Sequence, residues 1–386
     1  MISLVTIACV AGARAQGQAT PQATSINEPI PVEPTGAAKV RADAEKLKEF
    51  VTSDAAKQFL AATAALPEVS ERVLYVNRAT RTWYTPGERE KLNEEEKAGL
   101  TERKLDGEYY YSTRYGSPLA YVRAIDLLAR RGGEDGGFAG EFPFTRKRIL
   151  DYGYGTIGHL RLMASLGARV VGVDTDPSLA RLYAGKDDSG MIAGFGGHAD
   201  GSIRLRTGRF PVDRECVPFA LLDSMGPSNL FNPPAASQPV YLPVRYDLFI
   251  SKNTLKNGYI HPEPTDGKPV DKRMLVDLGT DEESYLKAVH EVLKPGGLFM
   301  IYNLSPAPSK PGEAYKPWSD GRCPFTRRQL EAAGFEVLAF DESDNKKARE
   351  MGRLLGWADD PDGDGPEKGT DLENDLFSHW MLARKR

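Results

Sequence analysis

The stretch RILDYGYGTIGHLRLMASLGARVVGVDTDP, residues 148–177, sets Gly153, Gly155 and Gly158 between two acids, Asp151 and Asp174, each ending an apolar run. Glycines at a strand-to-helix turn let the backbone fold back tightly, and they let a ligand reach main-chain N–H groups at the helix N-terminus. An acid at the end of the following strand accepts hydrogen bonds from ribose hydroxyls, and Asp174 holds that position. Thr175 follows it, and Tyr154 lies between the first two glycines. These residues imply nucleoside binding. The spacing G-x-G-x-x-G is that of dinucleotide sites. Asp151 argues against a dinucleotide, because a carboxylate two residues before Gly153 would face the pyrophosphate. Such an acid suits a ligand that carries positive charge.

Three further pieces follow in order: VVGVDTDP at 170–177, YDLFISKNTL at 246–255 and VLKPGGLFMIYN at 292–303. With ILDYGYGTIG at 149–158, this ordered set resembles the class I S-adenosylmethionine-dependent methyltransferases. PFTRRQLEAAGFEVLAFD at 324–341 and FSHWMLARK at 377–385 resemble that family's last helix and terminal hairpin. The resemblance covers residues 146–386. It implies an α/β fold, a doubly wound, seven-stranded, mostly parallel sheet with an antiparallel last strand, and S-adenosylmethionine as cofactor. Asp151 and the backbone of 153–155 would hold the methionyl part, and Asp174 the ribose, with Tyr154, Thr175 and Ser251 beside them. Ile157 stands where the family has its third glycine. After the third strand the family often places an acid for adenine, whereas this chain has Thr207-Gly208-Arg209-Phe210-Pro211. Phe210 can pack on adenine or serve as a core residue; the latter is the commoner use.

Methyl transfer starts from an already activated sulfonium, so the protein must align a nucleophile with the S–CH₃ bond and exclude water. The reacting groups belong outside the carboxyl ends of the strands. Lys252 is a candidate anion contact there, Asn253 a positioning group and His261 a general base suited to neutral pH. Tyr109, Tyr110, Tyr111 and Tyr115 offer either cation–π contacts to the sulfonium or ordinary packing. Phe231-Asn232-Pro233-Pro234 is similar to a motif of amino-methylating enzymes of nucleic acids, but it precedes the fourth strand and reads as a loop. Asp360-Pro-Asp362-Gly-Asp364-Gly365 imitates the start of a calcium loop, yet Lys368 and Asp371 break the ligand pattern, leaving a solvated acidic loop. The function implied is methyl transfer to an unidentified acceptor, with a small molecule favoured. Two alternatives stay open: a non-catalytic protein that kept the sheet, and a nicotinamide-dependent oxidoreductase.

The elements that must position these residues are legible along the chain. It has 386 residues, 40% hydrophobic and 27% charged, enough for a large core with additions. A net charge of −4 argues against a general nucleic-acid surface. Three cysteines without a CxxC pair and five scattered histidines give no zinc pattern. Residues 1–15 resemble an export signal lacking a positive start, so the protein is exported or periplasmic if they act as one and cytoplasmic otherwise. No stretch has the ~20 apolar residues of a membrane span. Residues 16–40 read as a flexible linker, and 41–145 as a mostly helical subdomain that includes a charged helix at 87–104. Strands are expected at 148–151, 169–174, 203–207, 246–251, 298–303, 336–340 and 378–383, alternating with helices. Helix starts are read at Asp176, at Thr280 and at Thr326, with stops at Gly296 and Gly334. A loop insertion at 342–376 precedes the last strand. Oligomeric state is left open.

Overall fold

A computed structural model describes residues 35–111, 117–131, 144–213, 216–217, 219–221, 241–358 and 371–386. The export-like leader with Cys9, most of the expected linker, Tyr115, Phe231 to Pro234 and the acidic run at 360–365 lie outside the described residues.

The N-terminal part combines helices with a small antiparallel sheet that the sequence reading did not expect. Helices Gly36–Lys46 and Asp54–Ala61 bury Val40, Phe59 and Leu60, and the first begins inside the stretch read as linker. Three antiparallel strands follow, β1 (Arg72–Asn77), β2 (Thr82–Tyr84) and β3 (Leu100–Leu105), in the order β2-β1-β3. The charged run at 87–104 does not form one helix. Thr85 and Asn93 each close a capping box, with Glu88 and with Glu96, so two short helices start separately at Pro86–Glu90 and Glu94–Ala98. A capping side chain that takes a first-turn N–H fixes a helix start and prevents the preceding helix from running through. From Leu100 the chain extends to pair with β1 along its whole length.

The main sheet comprises β4 (Arg148–Tyr152), β5 (Arg169–Asp174), β6 (Gly190–Ile192), β7 (Gly201–Thr207), β10 (Tyr246–Lys252), β11 (Leu293–Ser305), β12 (Phe335–Ser343) and β13 (Phe377–Lys385); β8 (Phe219–Leu221) and β9 (Tyr241–Pro243) pair with each other. Its order is β12-β13-β11-β10-β4-β5-β7-β6. The seven expected strands all form, and β13 runs antiparallel to both neighbours. Among the described residues the sheet has eight strands rather than seven, because β6 adds a short antiparallel edge to β7.

Continuous apolar strands fit this architecture because both faces of a parallel sheet are covered. Every residue of β10 is buried. Leu248 and Ile250 pack with Leu160 and Leu162 on one face, while Phe249 and Phe299 pack with Tyr285 and Leu286 on the other. The caps at Asp176 and Thr326 form as read, but the third is one residue on: Asp281, not Thr280, accepts the Ser284 N–H at 2.8 Å. The segment at 342–376 is not all loop. It contains helices Asn345–Leu354 and Leu372–Asp375, with Met351, Trp357 and Leu376 buried.

Arg123 ties the helix Val122–Arg131 to the end of β12. Its guanidinium donates to Asp126 at 2.7 Å and to both oxygens of Asp344 at 2.9 and 2.8 Å, and it is only 3% exposed. Arg123→Met is expected to destabilise the fold by about 3 kcal/mol, since it removes the cationic partner of the buried Asp126 and the half-buried Asp344. A urea denaturation midpoint reads this directly.

Candidate functional site

From β4 the sheet grows one way through β5, and from β10 the other way through β11. A crevice opens at the carboxyl ends of the strands at such a switch point. Here it is a cavity of about 480 Å³, within the range of small-molecule sites. Of the ten residues singled out in the sequence, Gly153, Tyr154, Gly155, Asp174, Lys252 and Asn253 line it, whereas Asp151, Thr175, Ser251 and His261 do not.

The glycine turn is built by steric demand. Gly153 has φ 81° and Gly155 φ 58°, in the left-handed region. A Cβ on Gly153 would stand 1.8 Å from Thr254 Oγ1, so only glycine lets the loop after β4 lie against the loop after β10. Asp174 closes the turn from below. Its Oδ2 accepts the Gly155 N–H at 3.1 Å and its Oδ1 the Asp176 N–H at 2.9 Å. Enclosure in the crevice pushes its pKa up to about 6, against the pull of those two backbone donors. Each oxygen keeps a lone pair for another donor.

Asp151 is sealed beneath the loop at 0% exposure, with His159 Nε2 2.7 Å from its Oδ2. His159 is equally buried, and burial lowers its pKa, so the neutral ring donates from Nε2. Its ring stacks on Tyr121 with centroids 3.7 Å apart. His159→Leu would leave a buried carboxylate without this donor and should cost about 3–5 kcal/mol; Asp151→Asn in the same chain should recover part of that, as read by chemical denaturation.

Lys252 and Lys256 line the cavity from the loop packed against the glycine turn, each only 4% exposed. Lys252 Nζ sits 5.3 Å from the centre of the Tyr121 ring. Burial depresses its pKa to about 7, with the Asp151 charge acting the other way. Lys256 Nζ donates to Leu304 O at 2.7 Å and Trp318 O at 3.2 Å. Burial, reinforced by Lys252, brings it down to about 7 as well. Sequence reasoning missed Lys256, Tyr121 and Trp318. The pattern KNTLK at 252–256 held a signal for the first, since one tight turn brings both lysines to one wall.

Several of the other candidates make contacts within the fold. Asn253, at φ 63°, accepts the Leu304 N–H at 2.7 Å, and its own N–H donates to Asn303 Oδ1 at 3.0 Å, joining β10 to β11. Ser251 Oγ donates to Tyr152 O at 2.9 Å, fully buried. Thr175 is exposed. His261 Nε2 lies 3.0 Å from Pro324 O and 3.3 Å from Glu282, outside the cavity. Tyr110 donates to Asp188 at 2.5 Å and Tyr111 to Pro67 O at 2.6 Å, both as packing residues, while Tyr109 is exposed. Phe210 lies in the core against Phe249 and Tyr285. Among the described residues no His, Cys, Asp or Glu cluster is arranged for a metal, and no helix is long and apolar enough to cross a membrane.

No family model matches the chain, and no curated protein does. Solved structures do align. An S-adenosylmethionine-dependent methyltransferase from Mesorhizobium loti shares 15% identity at TM-score 0.32, over 71% of this chain and 100% of its own. The [4+2]-cyclase SpnF shares 14% at 0.33, over 68% and 80%. Phosphoethanolamine N-methyltransferase 2 of Haemonchus contortus, solved with phosphomonomethylethanolamine and S-adenosylhomocysteine, shares 14% at 0.37, over 74% and 62%. At such distances the chain's own strand order and crevice decide the matter. By that order, with its antiparallel β13 and its cavity at the switch point, the chain has the fold of the class I S-adenosylmethionine-dependent methyltransferases.

Proposed function

We propose that the chain binds S-adenosylmethionine in this cavity and transfers its methyl group to a small-molecule acceptor. One observation carries the reading: the glycine turn and Asp174 face a common cavity at the switch point, a match to the needs of a ribose and its attached chain. Ionised Asp174 takes the ribose hydroxyls on its remaining lone pairs. The backbone of the turn holds the methionyl part, and Asp151 acts from beneath, through His159, to fix the turn's shape.

The lysines decide how a sulfonium is tolerated. A cation entering beside two ammonium groups is repelled, but amines depressed to about 7 lose their protons readily. The sign follows: a positive ligand lowers their pKa further, so binding near neutral pH releases protons. Calorimetric titrations at pH 7 in two buffers of different ionisation enthalpy should show greater proton release for S-adenosylmethionine than for uncharged-sulfur S-adenosylhomocysteine. Equal release by the two would remove the lysines from this role.

Neutral Lys252 then stands where an N–H or O–H nucleophile can use it. The nucleophile's lone pair forms the bond to carbon, sulfur keeps the C–S electron pair, and Lys252 Nζ takes the nucleophile's proton. Formation of S-adenosylhomocysteine across a panel of amine, hydroxyl and carboxylate acceptors tests turnover. Tight binding with no product across that panel would favour a binding protein.

A further inference from the structure

At the opposite, amino-terminal ends of the strands, a second pocket gathers positive charge. Arg148 on β4 and Arg169 on β5 are register partners, and Ser202 on β7 continues that row. Arg204 lies two residues further along β7 and so on the same face. Parallel neighbours are about 4.8 Å apart, and like charges side by side on a sheet destabilise it. Among the described residues none of the three guanidinium groups has a carboxylate partner. Asp247, the acid at the start of β10, is already engaged by Lys294 Nζ at 3.0 Å, by the Arg148 backbone N–H at 2.8 Å and by Lys147 at 3.9 Å.

The floor of the pocket supplies an independent sign. Tyr246 is 1% exposed, and its hydroxyl is buried without a hydrogen-bond partner among the described residues. It lines, with Arg148, Arg169, Ser202 and Arg204, a cavity of about 140 Å³. At ~30 Å³ per water this space holds a few waters or one tetrahedral oxyanion. Buried polar atoms without partners are rare in folded proteins and call for an explanation. Nearby Arg206, which also acts on the Tyr246 hydroxyl, adds to the positive field, and Cys216 is the remaining titratable neighbour.

We propose that this pocket binds a small oxyanion, a phosphate or sulfate group, held by Arg148, Arg169 and Arg204 with hydrogen bonds from Ser202 and Tyr246. Guanidinium forks match tetrahedral oxyanions in geometry and charge, and such charge-assisted bonds are the strong ones. The site is independent of the nucleoside cavity and of the activity proposed there.

Calorimetry on the full chain without cofactor tests it, with inorganic phosphate, sulfate and glycerol 3-phosphate as three arms. The expected result is saturable 1:1 binding, weakened roughly tenfold or more by Arg169→Gln or Arg204→Gln and several-fold by Tyr246→Phe, while the exposed control Arg103→Gln binds as the parent does. The two arginines are exposed, so these variants should keep the parent's circular dichroism and melting temperature. Tighter binding of glycerol 3-phosphate than of inorganic phosphate would mark the end group of a phosphomonoester as the occupant; the reverse marks the free ion. No saturable heat in any arm up to ~10 mM, or binding indifferent to all three substitutions, would overturn the proposal.

Discussion

Asp174→Asn should weaken S-adenosylmethionine binding roughly a hundredfold, because two hydrogen bonds to a charged acceptor are each worth about 1.5–3 kcal/mol. The amide has a second defect. Both carboxylate oxygens already accept backbone N–H groups, from Gly155 and from Asp176, and an NH₂ must oppose one of them. The pH dependence follows from the pKa near 6. Above it the carboxylate is ionised and accepts the ribose hydroxyls; below it a proton competes with them. The parent's affinity should therefore fall as pH drops through 7, where the lysines gain protons, and fall again through 6. Asp174→Asn should keep the first decline and lose the second. A series of titrations between pH 5 and pH 8 measures both. A variant that binds as tightly as the parent would remove Asp174 from the site.

Gly153→Ala should be the most destabilising single methyl addition in the site, at about 4 kcal/mol or more. Two causes add. The new Cβ falls 1.8 Å from Thr254 Oγ1 and 2.4 Å from its Cβ, and the residue must hold φ 81°. They can be separated. Thr254→Gly removes the three atoms nearest the new Cβ and leaves the backbone term of about 1–2 kcal/mol as the main remaining cost. The double variant Gly153→Ala/Thr254→Gly should thus be more stable than Gly153→Ala alone, even though Thr254→Gly costs stability in the parent chain. Denaturant midpoints of the four proteins give the coupling. Simple additivity would mean that the two loops do not touch as described.

Much of the sheet was legible because its strands are short apolar runs bounded by turn residues. YDLFISK is buried along its whole length, and such a run has few other places to go. The N-terminal sheet was hidden because its signal is not local. LTERKL carries only two apolar residues, and it becomes a strand through pairing with RVLYVN, some thirty residues upstream. The same holds for the site. Residue type and spacing identified the glycine turn and Asp174, which depend on one βαβ unit. They could not show that Asp151 is sealed off, because its partner His159 is set by the roll of the following helix. Nor could they find Trp318, which reaches the cavity from the loop beyond β11, more than sixty residues after Lys252.

Equilibrium dialysis of the purified chain against labelled S-adenosylmethionine, with NADH as competitor, bears most directly on the nucleoside cavity. The predicted outcome is one saturable site per chain that S-adenosylhomocysteine empties, NADH leaves filled and Asp174→Asn abolishes at the same concentrations. Uptake of NADH with none of S-adenosylmethionine would contradict the account.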